Sequence, residues 1–173
     1  MIFKTRLICR MTYERNPLMK EIIRIAEIND FQIVKEITHN TILNIYPKYY
    51  PAGAIQFFIK HHSDEEILDD IKNRKVYLME SDNEPVGTVT LSDNEIERLF
   101  VLPKHQRKGY GSKLMDFAEE TIFSKYESII LDASLVAKKL YLKRGFEIIK
   151  YDSVKTAAGD YICYDSMRKI SSH

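Results

Sequence analysis

From Glu21 onward, β-branched runs give way to apolar residues spaced three and four apart, and the elements can be read off in order. Ile22, Ile23, Ile25 and Ile28 form a run that predicts a strand. Asp30 is placed to cap a helix in which Val34, Ile37, Thr41 and Ile45 keep helical spacing. Pro47 and Pro51 break that helix around Tyr46, Tyr49 and Tyr50, and AIQFFIKHH predicts a second, short one. Ser63 with Glu66 three residues on is a capping-box start, and Ile67, Leu68 and Ile71 carry a third helix from it.

The pattern then changes to period two. Val76–Ser81, Pro85–Leu91 and Glu95–Leu102 are three strands separated by Asp82-Asn83-Glu84 and Ser92-Asp93-Asn94, links short enough to require an antiparallel meander. Gly109–Tyr126 predicts a helix with Leu114, Met115, Ala118 and Ile122 on one stripe, and Ser128–Ala133 a buried strand. Strand, helix, strand makes those two strands parallel neighbours. Leu135–Arg144 is a further helix with Gly145 as its left-handed cap. Phe146–Val154 and Asp160–Lys169 are closing strands around a Gly159-Asp160 turn. The fold class is α+β, a mixed and mostly antiparallel sheet flanked by helices.

The first twenty residues follow no such pattern. They hold five basic residues against the single carboxylate of Glu14, without the continuous apolar core of a secretion signal. Met19, opening MKEIIRIAEIND, reads as a biological start better than the leader reads as a transit segment. Residues 1–20 are accordingly a leader, and 21–173 the functional domain.

Composition narrows the classes. At 173 residues with 45% hydrophobic content, one domain with a proper core is expected. Lys plus Arg number 26 against 25 Asp plus Glu, so no uniform field favours nucleic acid or an anionic membrane. No apolar run approaches the roughly 18 residues of a membrane span. Cys9 and Cys163 lie far apart and outside any Cys/His cluster, which excludes a zinc ribbon or disulfide scaffold and points to a reducing cytosol. His61 and His62 lack carboxylate or cysteine partners at ligand spacing, so no metal is expected. His105 is expected at the surface.

The chemistry concentrates in IERLFVLPKHQRKGYGSKLM, Ile96–Met115. A strand ends at Pro103, and Gly109 and Gly111 open a helix whose bare N–H groups suit a pyrophosphate, with Lys104, Arg107 and Lys108 adding positive charge. A dinucleotide fingerprint would need glycine where Leu114 stands. A P-loop would need Lys and then Ser or Thr directly after Gly111, which is followed instead by Ser112 and Lys113. On spacing alone the loop is equally well a solvated basic turn.

Gln106-Arg107-Lys108-Gly109-Tyr110-Gly111 resembles the Q/R-x-x-G-x-G/A loop of the GCN5-related N-acetyltransferases (GNAT), and Leu99-Phe100-Val101 before Pro103 resembles the strand preceding it. LDASLVAKKLYLKRGFE resembles the family's A-x-x-x-Y-x-x-x-G-F segment, with Tyr141, Gly145 and Phe146. Two such motifs in order, over about 150 residues, imply a GNAT-type acyl-CoA N-acyltransferase fold. The resemblance implies acetyl-CoA as co-substrate, its pyrophosphate on the N–H groups from Arg107 to Ser112. It also implies a splayed parallel strand pair that admits pantetheine beside Leu99, Phe100 and Val101. Ser134 stands where many relatives carry Asn, and serine can still hydrogen-bond pantetheine.

By the same resemblance Tyr141 is the general acid toward the thiolate, unless it merely packs beside Phe146. Strand alternation puts Glu95, Glu97, Leu99 and Val101 on one face. Either glutamate, Glu95 ahead of Glu97, is then a base through water, an electrostatic anchor for a cationic acceptor, or a solvated acid. Glu95 resembles the basic glutamate of histone-acetylating relatives. Tyr46, Tyr49, Tyr50, Phe57, Phe58, His61 and His62 either line an acceptor cleft, form a dimer interface, or fill the core. The implied reaction is direct acetyl transfer, in a ternary complex, to a primary amine of a small molecule or protein. The alternatives are a non-catalytic CoA-binding regulator and, against the charge balance, an RNA-directed enzyme. Exposed edge strands leave a homodimer open.

Overall fold

The computed structural model describes residues 20–171. The expected leader, except Lys20, and Cys9 lie outside the described residues.

The elements run β1 (Glu21–Ile25), α1 (Phe31–Ile45), α2 (Ala52–His61), α3 (Asp64–Lys72), β2 (Val76–Ser81), β3 (Glu84–Ser92), β4 (Glu95–Val101), α4 (Tyr110–Phe123), β5 (Ser128–Ser134), α5 (Lys138–Lys143), β6 (Glu147–Lys155) and β7 (Tyr161–Ile170). One seven-stranded sheet has the order β1-β2-β3-β4-β5-β7-β6, antiparallel throughout except for β4 beside β5. The α+β expectation, the meander and the parallel pair all hold. Asp82 and Asn83 both adopt positive φ, 54° and 65°, the geometry that folds a two-residue hairpin back onto a twisted ladder.

Each sheet face carries its own core. On one face, Leu114, Met115, Ala118 and Ile122 of α4 are all 2% exposed or less and pack on Met79, Val89, Ile96, Ile129 and Leu131. On the other, Val34, Ile37 and Ile42 of α1 with Ile67 and Ile71 of α3 cover Val76, Leu78 and Phe100.

Three sequence expectations need correction. The first strand stops at Ile25, and Ile28 sits 53% exposed in a 3-10 turn. Asp30 flanks α1 but gives it no side-chain cap. Its carboxylate accepts from the Glu27 N–H at 2.7 Å and pairs with Arg24, because a nearby guanidinium is a stronger partner than a helix N–H. The helix predicted from Leu135 begins only at Lys138.

The β6–β7 hairpin reaches across to α2. Asp160 Oδ2 accepts the Gly53 N–H at 3.0 Å, supplying from a distant loop the cap that Pro51 cannot. A Cβ at Gly53 would stand 2.4 Å from that oxygen and 2.7 Å from Ala158 Cβ, so only glycine allows the approach. The contact fixes where the aromatic face of α2 points.

Candidate active site

The sheet opens at one place. β4 and β5 pair at Glu95 and Ile130 alone. Asn94 ties the same end, its carbonyl accepting from Ile130 N at 3.0 Å and its amide donating to Ser128 O at 3.3 Å. Beyond that point the strands part toward their carboxyl ends.

A cavity of about 310 Å³ fills the gap. β4 contributes Glu97, Arg98, Leu99 and Phe100 to its lining, β5 Asp132 and Ser134, and α5 Tyr141. Tyr46, Phe57, Phe58, His61 and His62 form the wall on the α2 side, and Val154, Ile162 and Tyr164 close it from the final hairpin. The aromatic segment is therefore core and cavity wall at once, with Tyr46 packed edge-on against Phe58 at 4.8 Å. Tyr49 is excluded, being 52% exposed.

Alternation fails on β4. Thr90 faces Arg98 and Leu91 faces Ile96, leaving Glu97 with no partner in β3, as a β-bulge requires. Ile96 and Leu99, three apart, consequently both belong to the core beneath α4, together with Val101. The glutamates are thus not on the face of Leu99 and Val101. Glu97 lines the cavity, whereas Glu95 stands at the strand-pairing point outside its lining.

Three carboxylates gather there. Burial, then the charges of Glu97 and Asp132, hold the Glu95 carboxyl above the usual glutamate range, with Lys75 opposing. Asp132 accepts from Ser166 Oγ at 2.6 Å. Lys75 Nζ lies 4.0 Å from Glu97 and 3.7 Å from Asp70. Asp70 in turn pairs with Arg98 below the bulge.

Tyr141 is 7% exposed and meets the cavity on one side and Phe146 edge-on at 5.7 Å on the other, so packing and cavity roles coexist. Burial raises its phenol above the usual range and keeps it protonated. Ser134 lines the cavity, and the Tyr50 hydroxyl accepts from the neighbouring Leu135 N at 2.7 Å. Burial, then Arg98, pushes the His62 imidazole down to about 2, so it is a neutral wall.

At the far end of the gap lies the glycine loop. Arg107 and Gly109 adopt positive φ, 63° and 91°, and turn the chain into α4. The first helical bond runs from Lys113 N to Gly109 O, leaving the N–H groups of Tyr110, Gly111 and Ser112 without intrahelical acceptors, and no side chain caps them. A Cβ at Gly111 would meet only Val101, at 3.9 Å. The open N–H groups fit a pyrophosphate.

Several loop side chains do other work than expected. Lys104 pairs with Glu84, so of the three loop cations Lys104, Arg107 and Lys108, the last two have no carboxylate partner among the described residues. Gln106 donates its amide to Val101 O at 3.0 Å, tethering the loop to β4, and Thr41 reaches the same carbonyl at 3.2 Å. The Tyr110 ring is buried, its hydroxyl 3.0 Å from Ser81 Oγ, leaving only its N–H for the loop. His105 is 7% exposed rather than at the surface, set edge-on against Tyr110. Among the described residues no His, Cys, Asp and Glu group could hold a metal, and no helix is long and apolar enough to cross a membrane.

Asp132, Arg98 and Tyr164 escaped the sequence reading. Asp132 carried a signal, a lone acid inside the buried strand SIILDAS. Arg98 and Tyr164 carried none, since each lies on a strand where either face was open to it.

A sheet opened between its one parallel pair is the fold of the acyl-CoA N-acyltransferases, and solved structures bear this out. A GCN5-related N-acetyltransferase from Rhodopseudomonas palustris superposes with TM-score 0.80 at 18% identity, over 89% of this chain and 98% of the other. PaiA N-acetyltransferase from Thermoplasma acidophilum, solved in complex with coenzyme A, gives 0.68 at 22% identity, over 88% and 100%. In sequence, the uncharacterized N-acetyltransferase YafP of Escherichia coli K12 is 25% identical over 133 residues, 77% of this chain and 85% of the relative. Residues 45–170 match the family model described as an acetyltransferase (GNAT) domain. The chain belongs to the GNAT acetyltransferase family.

Proposed function

We propose that residues 21–173 form an acetyl-CoA-dependent N-acetyltransferase that acetylates a primary amine by direct attack in a ternary complex. The observation that carries the reading is the single pairing of Glu95 with Ile130, which leaves a gap lined by Leu99, Phe100, Ser134 and Tyr141, with the glycine loop following the end of β4. The N–H groups from Arg107 to Ser112 would hold the pyrophosphate, with Arg107 and Lys108 beside them. The backbone of Leu99 and Phe100 would pair with pantetheine as a missing strand does, while the Val101 carbonyl is already engaged. Acetyl-CoA supplies the activated thioester.

Tyr141, protonated at neutral pH on the cavity lining, would give its proton to the departing sulfur. Glu95 and Glu97 accept the ammonium proton through water. Glu97 and Asp132 put two carboxylates on the cavity lining, which favours an acceptor that arrives as a cation, between aromatic faces suited to hold one. The proposed setting is the cytosol.

The test is thiol release from acetyl-CoA with a panel of cationic, neutral and carboxylate-bearing amines. Release with the cationic group supports the reading. Silence throughout, despite tight acetyl-CoA binding, would replace the enzyme by a CoA-binding regulator.

A further inference from the structure

We infer that the outer edge of β6 is a self-pairing surface on which a second copy of this chain docks, antiparallel, in a register centred on Tyr151. β6 ends the sheet, and among the described residues no strand pairs with its outer side. Soluble proteins usually blunt such an edge by shortening, covering or charging it. β6 is nine residues long and exposes Ile148, Ile149 and Tyr151, the last to 64%. The other edge, β1, has five residues, mostly half-buried, and its Arg24 is held by Asp30 and Glu80.

The charges select the occupant. About a two-fold axis through Tyr151, an antiparallel copy sets Lys150 of each chain opposite Asp152 of the other. Directly opposed residues share a face. The pair already formed within the strand, 2.8 Å from Lys150 Nζ to Asp152 Oδ1, thereby becomes half of a square of alternating charge. Shifting the register by two residues sets Lys150 against Lys150 or Asp152 against Asp152, so the pattern also rejects its neighbours. Lysine on this edge is a barrier to other strands and a partner to its own copy.

Backbone geometry permits the match. From Lys150 to Lys155 the pairing with β7 is unbroken, and the irregularity at Ile149 lies outside the central pairs. Tyr151 meets its own counterpart on the opposite face, an aromatic contact at the axis. The interface is isologous, and a two-fold axis closes it as a dimer rather than a fibre. The two seven-stranded sheets become one. Lys150 also lies in one row with Ser166 and Asp132, so the junction sits two strands from the carboxylates of the cavity.

Sedimentation equilibrium of the full chain tests this with Lys150→Asp, Asp152→Lys and their equimolar mixture. The unaltered chain is expected to be a dimer. Each variant alone opposes like charges twice across the axis and raises the dissociation constant at least about tenfold. The mixture restores opposite charges at both pairs and recovers the dimer as a heterodimer. A monomeric unaltered chain, variants that dimerise undiminished, or a mixture that stays monomeric would each overturn the proposal.

Discussion

The Arg98 guanidinium and the Asp70 carboxylate form an ion pair beneath the β4 bulge, with side chains only 8% and 10% exposed. Arg98 also donates to Thr90 Oγ1 at 3.2 Å, and burial lowers its pKa to about 10. Removing one partner strands a charge in the core. Asp70→Ala is expected to lower the unfolding free energy by about 3–5 kcal/mol, whereas Arg98→Met with Asp70→Leu recovers most of the loss. Urea denaturation of the three chains measures both effects.

Tyr141→Phe keeps the ring that packs on Phe146 and removes only the hydroxyl that carries the proton. Turnover is expected to fall about a hundredfold or more, with the acetyl-CoA dissociation constant nearly unchanged. Steady-state kinetics and calorimetric titration separate the two quantities. Equal turnover would reduce Tyr141 to a packing residue.

In the proposed reaction Glu95 would make activity and stability respond to pH with opposite signs. Its carboxyl is raised by burial, then by Glu97 and Asp132, so the folded chain holds this proton more tightly than the unfolded one. The resulting stabilisation is present below the ordinary glutamate pKa and is lost as pH rises through the raised value. Glu95→Gln is therefore expected to raise the melting temperature at neutral pH, with little change in acid, while slowing acetyl transfer. Asp132→Asn removes one repelling charge, so the acidic limb of kcat/KM moves to lower pH.

The two loop glycines are expected to fail differently. Gly109 holds φ at 91°, and Gly109→Ala costs about 1 kcal/mol of stability through backbone strain. Gly111 has ordinary backbone and open space above it, so Gly111→Ala leaves the melting temperature unchanged. Its methyl group would instead intrude where the proposed pyrophosphate approaches, and CoA is expected to bind about tenfold more weakly. Thermal melts and CoA titrations distinguish the pair.

Nearly every element was legible in the sequence, because local periodicity sets it: the stripe Leu114, Met115, Ala118, Ile122 and the Asp82-Asn83 turn needed no knowledge of the rest. The bulge at Glu97 was not. A bulge is a property of two strands, and reading one strand as strict alternation carried Leu99 and Val101 to the wrong face. Asp30 misled for a related reason. Its local role as a cap lost to Arg24 on a neighbouring element, whose charge a sequence window cannot place. Spacing located the glycine loop, but Lys104 looked like part of its charge until Glu84 came beside it across the chain.

As proposed, the gap between β4 and β5 would recognise what is common to every form of its ligand. In the proposed complex, backbone amides and helix N–H groups would read the pantetheine and the pyrophosphate, and neither contact would touch the acyl group. The spent thiol should therefore compete with the charged thioester on nearly equal terms. An enzyme working in the proposed way would respond to the ratio of the two rather than to the amount of either, and would slow as a cell exhausts its activated acetyl groups.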